Sequence, residues 1–339
     1  MASNREILIN EFSIHLTINN FPNIDYWLQD FPTPGSETRN SYQQLTLSIV
    51  DNISVNSSIK YSLKDGKYSI SWFDTPLRTM LWQSNDHPDA KMLGVANPNG
   101  ITLSSTSENL LGRWFRHFIF VQQYIEQALI FLHAAAISKG DKTFVIVGPS
   151  GAGKTTHAYM ALRCGWKVLA DETLLILPNR EIMPFFSTIT WECRTMPNVK
   201  REIDELVVAK NRIPDSEAAK NLLDYKGRLI FYPQQIIPMT RHFPITGVIV
   251  LEVPVDDKLE ENYSFNLDSI NTELGKRTSM RSIFDLVGEE DYDTWQKKAM
   301  DKYKELLGLP IHSFRQSSEC TSVQNFSSFI SLLERLESS

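Results

Sequence analysis

Gly148-Pro149-Ser150-Gly151-Ala152-Gly153-Lys154-Thr155 fits the pattern G-x-x-x-x-G-K-[ST] at every fixed position. The chemistry such a run can do is the capture of a polyphosphate. Glycines let the chain turn so that successive backbone N–H groups face inward. A lysine brings a cation to the outer phosphates, and a threonine hydroxyl suits Mg²⁺. The residues expected to hold a nucleotide, ATP or another nucleoside triphosphate, are Gly148, Ser150, Gly151, Ala152, Gly153, Lys154, Thr155 and Thr156. Lys154 is expected to be solvent-accessible in the empty protein. A little downstream stand two adjacent carboxylates, Asp171 and Glu172. One can accept a proton from an attacking hydroxyl while the other holds Mg²⁺ directly or through water. Elsewhere in a chain the pair would read as a solvated turn; beside a phosphate loop the chemical reading is preferred.

The elements around these residues have to place them. A phosphate loop follows a buried strand and opens a helix. Phe144–Val147 is a short β-branched and aromatic run, Lys154–Arg163 carries good helix formers, and Gly165 can cap that helix because glycine accepts a positive φ. Trp166–Ala170 then reads as a strand ending at Asp171. Strand, helix and strand at this spacing make a βαβ unit with parallel strands, which puts Asp171 at the carboxyl edge of the sheet beside the loop. Upstream, Gly140-Asp141 is a two-residue hairpin turn of type II′. Its register pairs Lys139 with Lys142, Ser138 with Thr143 and Ile137 with Phe144. Followed down the ladder, His133 falls opposite Gly148. A lone histidine is more often structural, but this register makes His133 a candidate for the site.

The stretch GPSGAGKTTHAYMALRCGWKVLADET resembles, without a gap, the corresponding block of bacterial HPr kinase/phosphorylase and its relatives. The likeness covers roughly residues 130–177. It implies an α/β fold: a P-loop core like the HPr kinase C-terminal domain, with a mixed sheet, related to that of phosphoenolpyruvate carboxykinase. It also implies an ATP- and Mg²⁺-dependent phosphotransferase acting on a serine hydroxyl. His133 stands where the family carries a histidine on the preceding strand. Asp171 stands at the position of the proposed general base, and Glu172 replaces the family's second aspartate as a metal-side residue with Thr155. The family's Leu-Glu-Ile-Arg-Gly signature is echoed only by Trp191-Glu192-Cys193-Arg194-Thr195, without a glycine, so phosphorolysis is not implied. A β-rich N-terminal piece leading into a His-Ala-Ala-Ala strand is similar in layout, not in motif, to kinase-like relatives found with peptide-modification genes. Some of those, in lasso-peptide clusters, phosphorylate a serine of the precursor peptide. The family also carries a basic residue near Asp224–Pro233, where Lys226 or Arg228 could neutralise charge on the transferring phosphoryl group. Ordinary surface cations are the alternative there.

The chain of 339 residues has 34 basic and 40 acidic side chains, a net charge of −6 that argues against a nonspecific nucleic-acid surface. Its three cysteines, Cys164, Cys193 and Cys320, show no C-x-x-C spacing, which speaks for a reducing compartment and against a zinc site. The first residues lack the apolar run of a signal peptide. His117–Leu132 is interrupted by Gln122, Gln123, Glu126 and Gln127, so no membrane association is expected, and the location expected is the cytoplasm. Oligomeric state stays open.

Residues 1–112 read as a β-rich region and 113–339 as the kinase core with C-terminal helices. In the first part, Phe12–Ile18, Tyr42–Val50 and Tyr61–Trp72 alternate apolar and polar residues between turn signals such as Asp65-Gly66. Trp27, Trp72 and Trp82 could line a binding surface, though packing of a small sheet is the preferred reading. Leu110–Leu132 turns helical, with Trp114, Phe118, Val121, Ile125 and Leu129 near one stripe. Strand-like pieces fall around Pro184-Phe185-Phe186 and Ile189–Trp191. Lys200–Leu223 reads as a charged helix, and a strand runs through Leu229–Pro233. Thr246–Val253 reads as a buried central strand, and 256–276 as a polar loop. Helices are expected at Arg277–Leu286, Tyr292–Leu307 and Val323–Leu336, with a strand at Ile311–Arg315. The function expected is a kinase with a peptide or small-protein serine as acceptor. A kinase of small hydroxylated metabolites and a noncatalytic nucleotide sensor are the alternatives.

Overall fold

The computed structural model of the protein describes residues 2–9, 12–21, 42–65, 68–98, 100–108, 110–112, 114–115, 118, 130–149, 151–171, 174–177, 179–184, 189–191, 219–223, 229–233, 241–252, 278–287, 294, 297, 301, 304, 306, 308–315 and 322–338. It is a mixed α/β protein with large mixed sheets and few helices, and its N-terminal region is rich in β-structure. Among the described residues, helices with complete bounds are α1 (Lys154–Arg163), α2 (Thr278–Val287) and α3 (Ser322–Ser338). Two compact units result. One holds Met1–Ala128 and Gly275–Lys297, the other Leu129–Leu274 and Lys298–Ser339. The first unit thus runs past the 112/113 boundary and takes back a segment from the C-terminal half.

In the first unit, β1 (Ala2–Ile9), β2 (Phe12–Asn19), β3 (Tyr42–Ile49), β4 (Ile59–Asp65), β5 (Tyr68–Phe73), β6 (Arg78–Ser84), β7 (Lys91–Asn97) and β8 (Gly100–Ser105) form one sheet in the order β1-β2-β3-β8-β7-β6-β5-β4. Strand β3 lies parallel to both its neighbours, and the remaining pairs are antiparallel. Alternation along the strands turns Leu16, Ile18, Leu45, Leu47, Ile70, Trp72, Met80, Trp82 and Leu103 into the core. Helix α2 explains the return of the later segment. Its Ile283, Phe284 and Leu286 are fully buried, and its Ser282 Oγ accepts a 2.8 Å hydrogen bond from Trp82 Nε1. Gly94 on β7 makes room for this packing, since a Cβ there would stand 2.7 Å from the Trp82 ring and 2.8 Å from Leu286. Trp82 also meets Trp114 with ring centroids 4.9 Å apart. Trp72 and Trp82 therefore pack the sheet rather than line a binding surface; Trp27 lies outside the described residues.

The helical reading of Leu110–Leu132 holds for its described start and fails at its end. Leu110–Gly112, Trp114, Phe115 and Phe118 are helical. Residues 119–129, with Val121, Ile125 and Leu129, lie outside the described ones. Ile130–Leu132 is a strand (β9) paired antiparallel to β13 (Leu174–Ile176). Both strands belong to a four-stranded sheet with β14 (Glu181–Met183) and β18 (Phe243–Pro244).

The sheet that matters for the loop has five strands. In the order β12-β10-β11-β19-β20 these are Lys167–Ala170, Ala135–Lys139, Lys142–Val147, Gly247–Glu252 and Ile311–Arg315. Strands β11, β19 and β20 are parallel, while β10 is antiparallel to β11 and to β12. The strands flanking α1 thus do run in the same direction, as the βαβ reading requires, but β10 lies between them. Both faces of the sheet are buried: Ile137, Phe144, Ile146, Ile249 and Leu251 pack with α1 and α3 through Ala158, Met160, Phe329, Ile330 and Leu333, and Ala136, Val145, Val147, Val248 and Val250 fill the other side. This is why Thr246–Val253 reads as one apolar run, and its strand, β19, is indeed central.

A three-stranded sheet holds β15 (Ile189–Trp191), β17 (Leu229–Pro233) and β16 (Ala219–Leu223). Ala219–Leu223 was expected to end a helix; its pairing with β17 from Ala219↔Pro233 to Leu223↔Leu229 overrides the helix propensity of Ala-Lys-Asn-Leu-Leu. The rest of Lys200–Leu223, Phe185, Phe186 and the loop at 256–276 lie outside the described residues. Of Tyr292–Leu307, the described positions 294, 297, 301, 304 and 306 are helical. Among the described residues no helix is long and apolar enough to cross a membrane.

Candidate functional site

The site starts from the β10–β11 hairpin. Gly140 takes φ +61° while Asp141 does not turn positive, the φ pattern of a type II′ turn rather than type I′. The register is the expected one: Lys139↔Lys142, Ser138↔Thr143 and Ile137↔Phe144, continuing to Ala135↔Ile146. There the ladder stops. The Ala134 N–H donates to the Leu132 carbonyl at 3.0 Å, turning the chain at His133 two pairs short of Gly148. His133 is half-buried and lies at the sheet edge where β11 ends, but strand pairing does not extend to it.

At the other strand end, Val147 pairs with Val250 and the chain enters the loop at Gly148. The Ala152 N–H closes a turn onto the Pro149 carbonyl at 3.1 Å. Gly153 caps α1 from the left-handed region, φ +81°, and no acidic side chain occupies the first turn of the helix. The helix therefore presents its N-terminal N–H groups and the positive end of its dipole with no acidic side chain of its own beside them. At the far end, Gly165 donates to Leu162 and Trp166 to Ala161, each at 3.0 Å, the two bonds of a Schellman cap. That cap turns the chain back into β12.

Lys154 departs from expectation. It is buried, and its Nζ donates to the carbonyls of Gly148 at 2.9 Å and Pro149 at 3.1 Å. An ammonium on a desolvated stem needs acceptors, and the loop's own carbonyls supply them. The ammonium thus spans the loop from inside it, at the end nearest the sheet. Thr155 and Thr156 are half-buried. From Thr155 the Oγ1 donates to Asp171 Oδ1 at 3.2 Å. Asp171 follows Ala170, which pairs with Ala136 of β10, so β10 bridges the loop strand and the carboxylate strand. Asp171 is buried, 6% exposed.

Of the residues named from sequence, Gly148, Gly151, Ala152 and Gly153 lead into the first turn of α1 with Lys154, Thr155 and Thr156, and Asp171 is brought to Thr155. Ser150, Glu172, Lys226 and Arg228 lie outside the described residues. A hydroxyl and a carboxylate oxygen 3.2 Å apart suit a hard dication whose other ligands are phosphate oxygens and water. No group of three or more His, Cys, Asp or Glu residues gathers anywhere among the described residues, at the loop included.

Sequence reading passed over His157. It is 2% exposed and hydrogen-bonds the Gly153 carbonyl through Nδ1 at 2.8 Å. Burial pushes its imidazole down from 6.5 to about 4, with the Gly153 bond opposing. The signal that could have found it is its spacing, four residues beyond the loop's last glycine on the first turns of the helix. Compared with known proteins, the chain matches no family model, and no curated protein matches it.

Proposed function

We propose that this chain is a phosphotransferase of the HPr kinase/phosphorylase type, moving the γ-phosphoryl group of ATP to a serine hydroxyl of a peptide or small protein. The observation that carries the reading is the hydrogen bond from Thr155 Oγ1 to Asp171 Oδ1, which joins a hydroxyl in the first turn of α1 to a buried carboxylate at the end of β12, one strand removed from β11. A buried carboxylate beside such a loop can take the proton of an attacking hydroxyl or serve the cation that accompanies the phosphates, and phosphoryl transfer uses both. ATP is an intracellular substrate, which accords with a cytoplasmic location.

Loop amides from Gly151 to Thr155 take the phosphates, and Lys154 exchanges its loop carbonyls for the outer phosphate oxygens. Thr155 would hold Mg²⁺, which would supply charge neutralisation on the transferring group. Asp171 accepts the proton of the serine hydroxyl as the new O–P bond forms and the bond from the γ-phosphorus to the bridging oxygen breaks, leaving ADP. His133, at the same sheet edge, and Arg228 are further candidates to stabilise the developing charge.

A second role for Asp171 is favoured by the same bond. A hydroxyl that donates its proton to Asp171 turns its lone pairs outward, so the carboxylate orients Thr155 toward a cation. Asp171→Asn separates the two. As a base, Asp171 contributes ~10²–10⁴-fold, so the variant binds Mg²⁺–ATP and loses transfer by that factor. As a metal-side carboxylate it leaves a variant with weakened Mg²⁺–ATP binding. Calorimetry measures the first quantity and the mass shift of a serine-containing peptide the second. Wild-type protein without affinity for Mg²⁺–ATP overturns the kinase reading, and a variant with wild-type transfer removes Asp171 from it.

A further inference from the structure

The Gly153 carbonyl accepts two hydrogen bonds from one residue: from the backbone N–H of His157 at 2.9 Å and from its ring Nδ1 at 2.8 Å. A carbonyl can only accept, so the proton of the neutral ring sits on Nδ1. Nε2 is buried with no hydrogen-bond partner among the described residues. The ring is held edge-to-face against Phe329 of α3, centroids 4.5 Å apart, and Phe314 of β20, 5.5 Å apart. A residue filling apolar space beside two phenylalanines would ordinarily be aliphatic or aromatic. A histidine there brings one donor, and that donor goes to the loop.

We infer that His157 is a positioning residue for phosphate binding: its Nδ1–H clamps the Gly153–Lys154 peptide so that the Lys154 amide N–H faces the phosphate. The inference rests on the reading of the loop as a nucleotide site. In a planar trans peptide the C=O and the following N–H point in opposite directions, and no peptide among the described residues is cis. Holding the Gly153 oxygen down the helix therefore holds the Lys154 N–H up toward the loop. Gly153 needs such a restraint more than most residues would. It has no Cβ and sits at φ +81°, where the adjoining peptide can flip and turn a carbonyl toward an anion. A single helical hydrogen bond at the first turn opposes that flip weakly, because helix ends fray. A second donor on the same oxygen, anchored through Phe314 and Phe329 to β20 and α3, opposes it firmly.

Three measurements on the full chain test this. Nitrogen-15 NMR of the wild-type imidazole should show the Nδ1–H tautomer; the Nε2–H tautomer would refute the clamp directly. His157→Leu keeps apolar volume and removes the donor, so its affinity for Mg²⁺–ATP should fall about 3- to 10-fold, the size of one neutral hydrogen bond. His157→Asn puts an amide N–H where Nδ1 stands and should recover at least half of that loss, although it fills the apolar space less well. Affinity unchanged in His157→Leu overturns the inference, as does a folded His157→Asn that binds no better than His157→Leu. Should His157→Leu not fold, the tautomer and the affinity of His157→Asn relative to wild type still decide. If the wild type binds no nucleotide, the reading of the loop fails; the clamp is then tested by hydrogen exchange at residue 157's own amide, which donates to the Gly153 carbonyl and should quicken in His157→Asn less than in His157→Leu.

Discussion

A Cβ placed on Gly148 would stand 3.0 Å from the carbonyl oxygen of Leu251 and 3.1 Å from that residue's own Cβ. The phosphate loop thus leaves β11 while still pressed against the central strand β19, and its first glycine is a packing requirement before it is a binding one. Gly148→Ala should destabilise the fold by about 1–3 kcal/mol, because a backbone oxygen in a central strand cannot yield as a side-chain tip would. Mg²⁺–ATP affinity should fall with it. Gly140→Ala is the control: a Cβ there meets nothing within 4 Å, and only the φ of +61° resists it. It should cost about 1–2 kcal/mol and leave nucleotide affinity alone. Urea unfolding and calorimetry on both variants check the pair.

Lys154→Ala removes the donor that the Gly148 and Pro149 carbonyls share. The loop then loses a cross-brace as well as a cation. Nucleotide affinity and phosphoryl transfer should be abolished, while unfolding free energy drops by no more than about 1–3 kcal/mol. Transfer at the wild-type rate would show that the loop is not the site.

His133 sits at the turn into β10, two ladder positions beyond the last observed pair. His133→Ala should lower turnover more than it lowers Mg²⁺–ATP affinity, since a residue at the edge can meet the transferring group without gripping the nucleotide. An equal loss in both quantities would assign it to binding instead. Steady-state kinetics beside calorimetry makes the distinction.

The depressed value of His157 carries a stability consequence with a fixed sign. In the unfolded chain the imidazole takes a proton near pH 6.5, in the folded one only near 4. Between those values the unfolded state binds more protons, so stability rises with pH there. The contribution of the neutral ring is complete above 6.5 and is lost as pH falls toward 4. Its full size is about 3 kcal/mol. Denaturant midpoints measured at pH 7.5 and 4.5 should show a larger drop in the wild type than in His157→Asn, which has nothing to titrate at that position.

What was legible in the sequence was local. The Gly140-Asp141 turn carried the hairpin register as far as Ala135↔Ile146, because a two-residue turn fixes pairing by counting, but not on to His133 and Gly148, where the chain turns away. Gly165 announced its helix cap for the same reason. The strand β19 was visible as an unbroken β-branched run. Errors came where a distant partner decides. Ile130–Leu132 continues a helical stripe by composition but pairs with Leu174–Ile176, and Ala219–Leu223 has helix formers that its pairing with Leu229–Pro233 overrules. The insertion of β10 between β11 and β12 has no signature in spacing, since the hairpin can fold to either side of the loop strand. Burial of Lys154 follows from carbonyls that only the closed turn brings together. His157 has a spacing signal, four residues beyond Gly153, but its partner is a backbone oxygen that residue types alone do not reveal.

The hydrogen bond from Trp82 to Ser282 spans 200 positions of the chain. Because α2 completes the core over Trp82, the first unit is a discontinuous domain. Synthesis from the N-terminus delivers all eight strands of its sheet long before the helix that shields them. Strands β9 to β19, phosphate loop included, emerge in between, so the first unit cannot close on the ribosome until most of the second has been made. During that interval the sheet face around Trp82 and Gly94 has no α2 to cover it and depends on a chaperone, or on speed, to stay out of aggregates. Truncation at residue 128 would fix the protein permanently in that condition, whereas a cut made after 297 would leave every strand and helix of the first unit in one polypeptide.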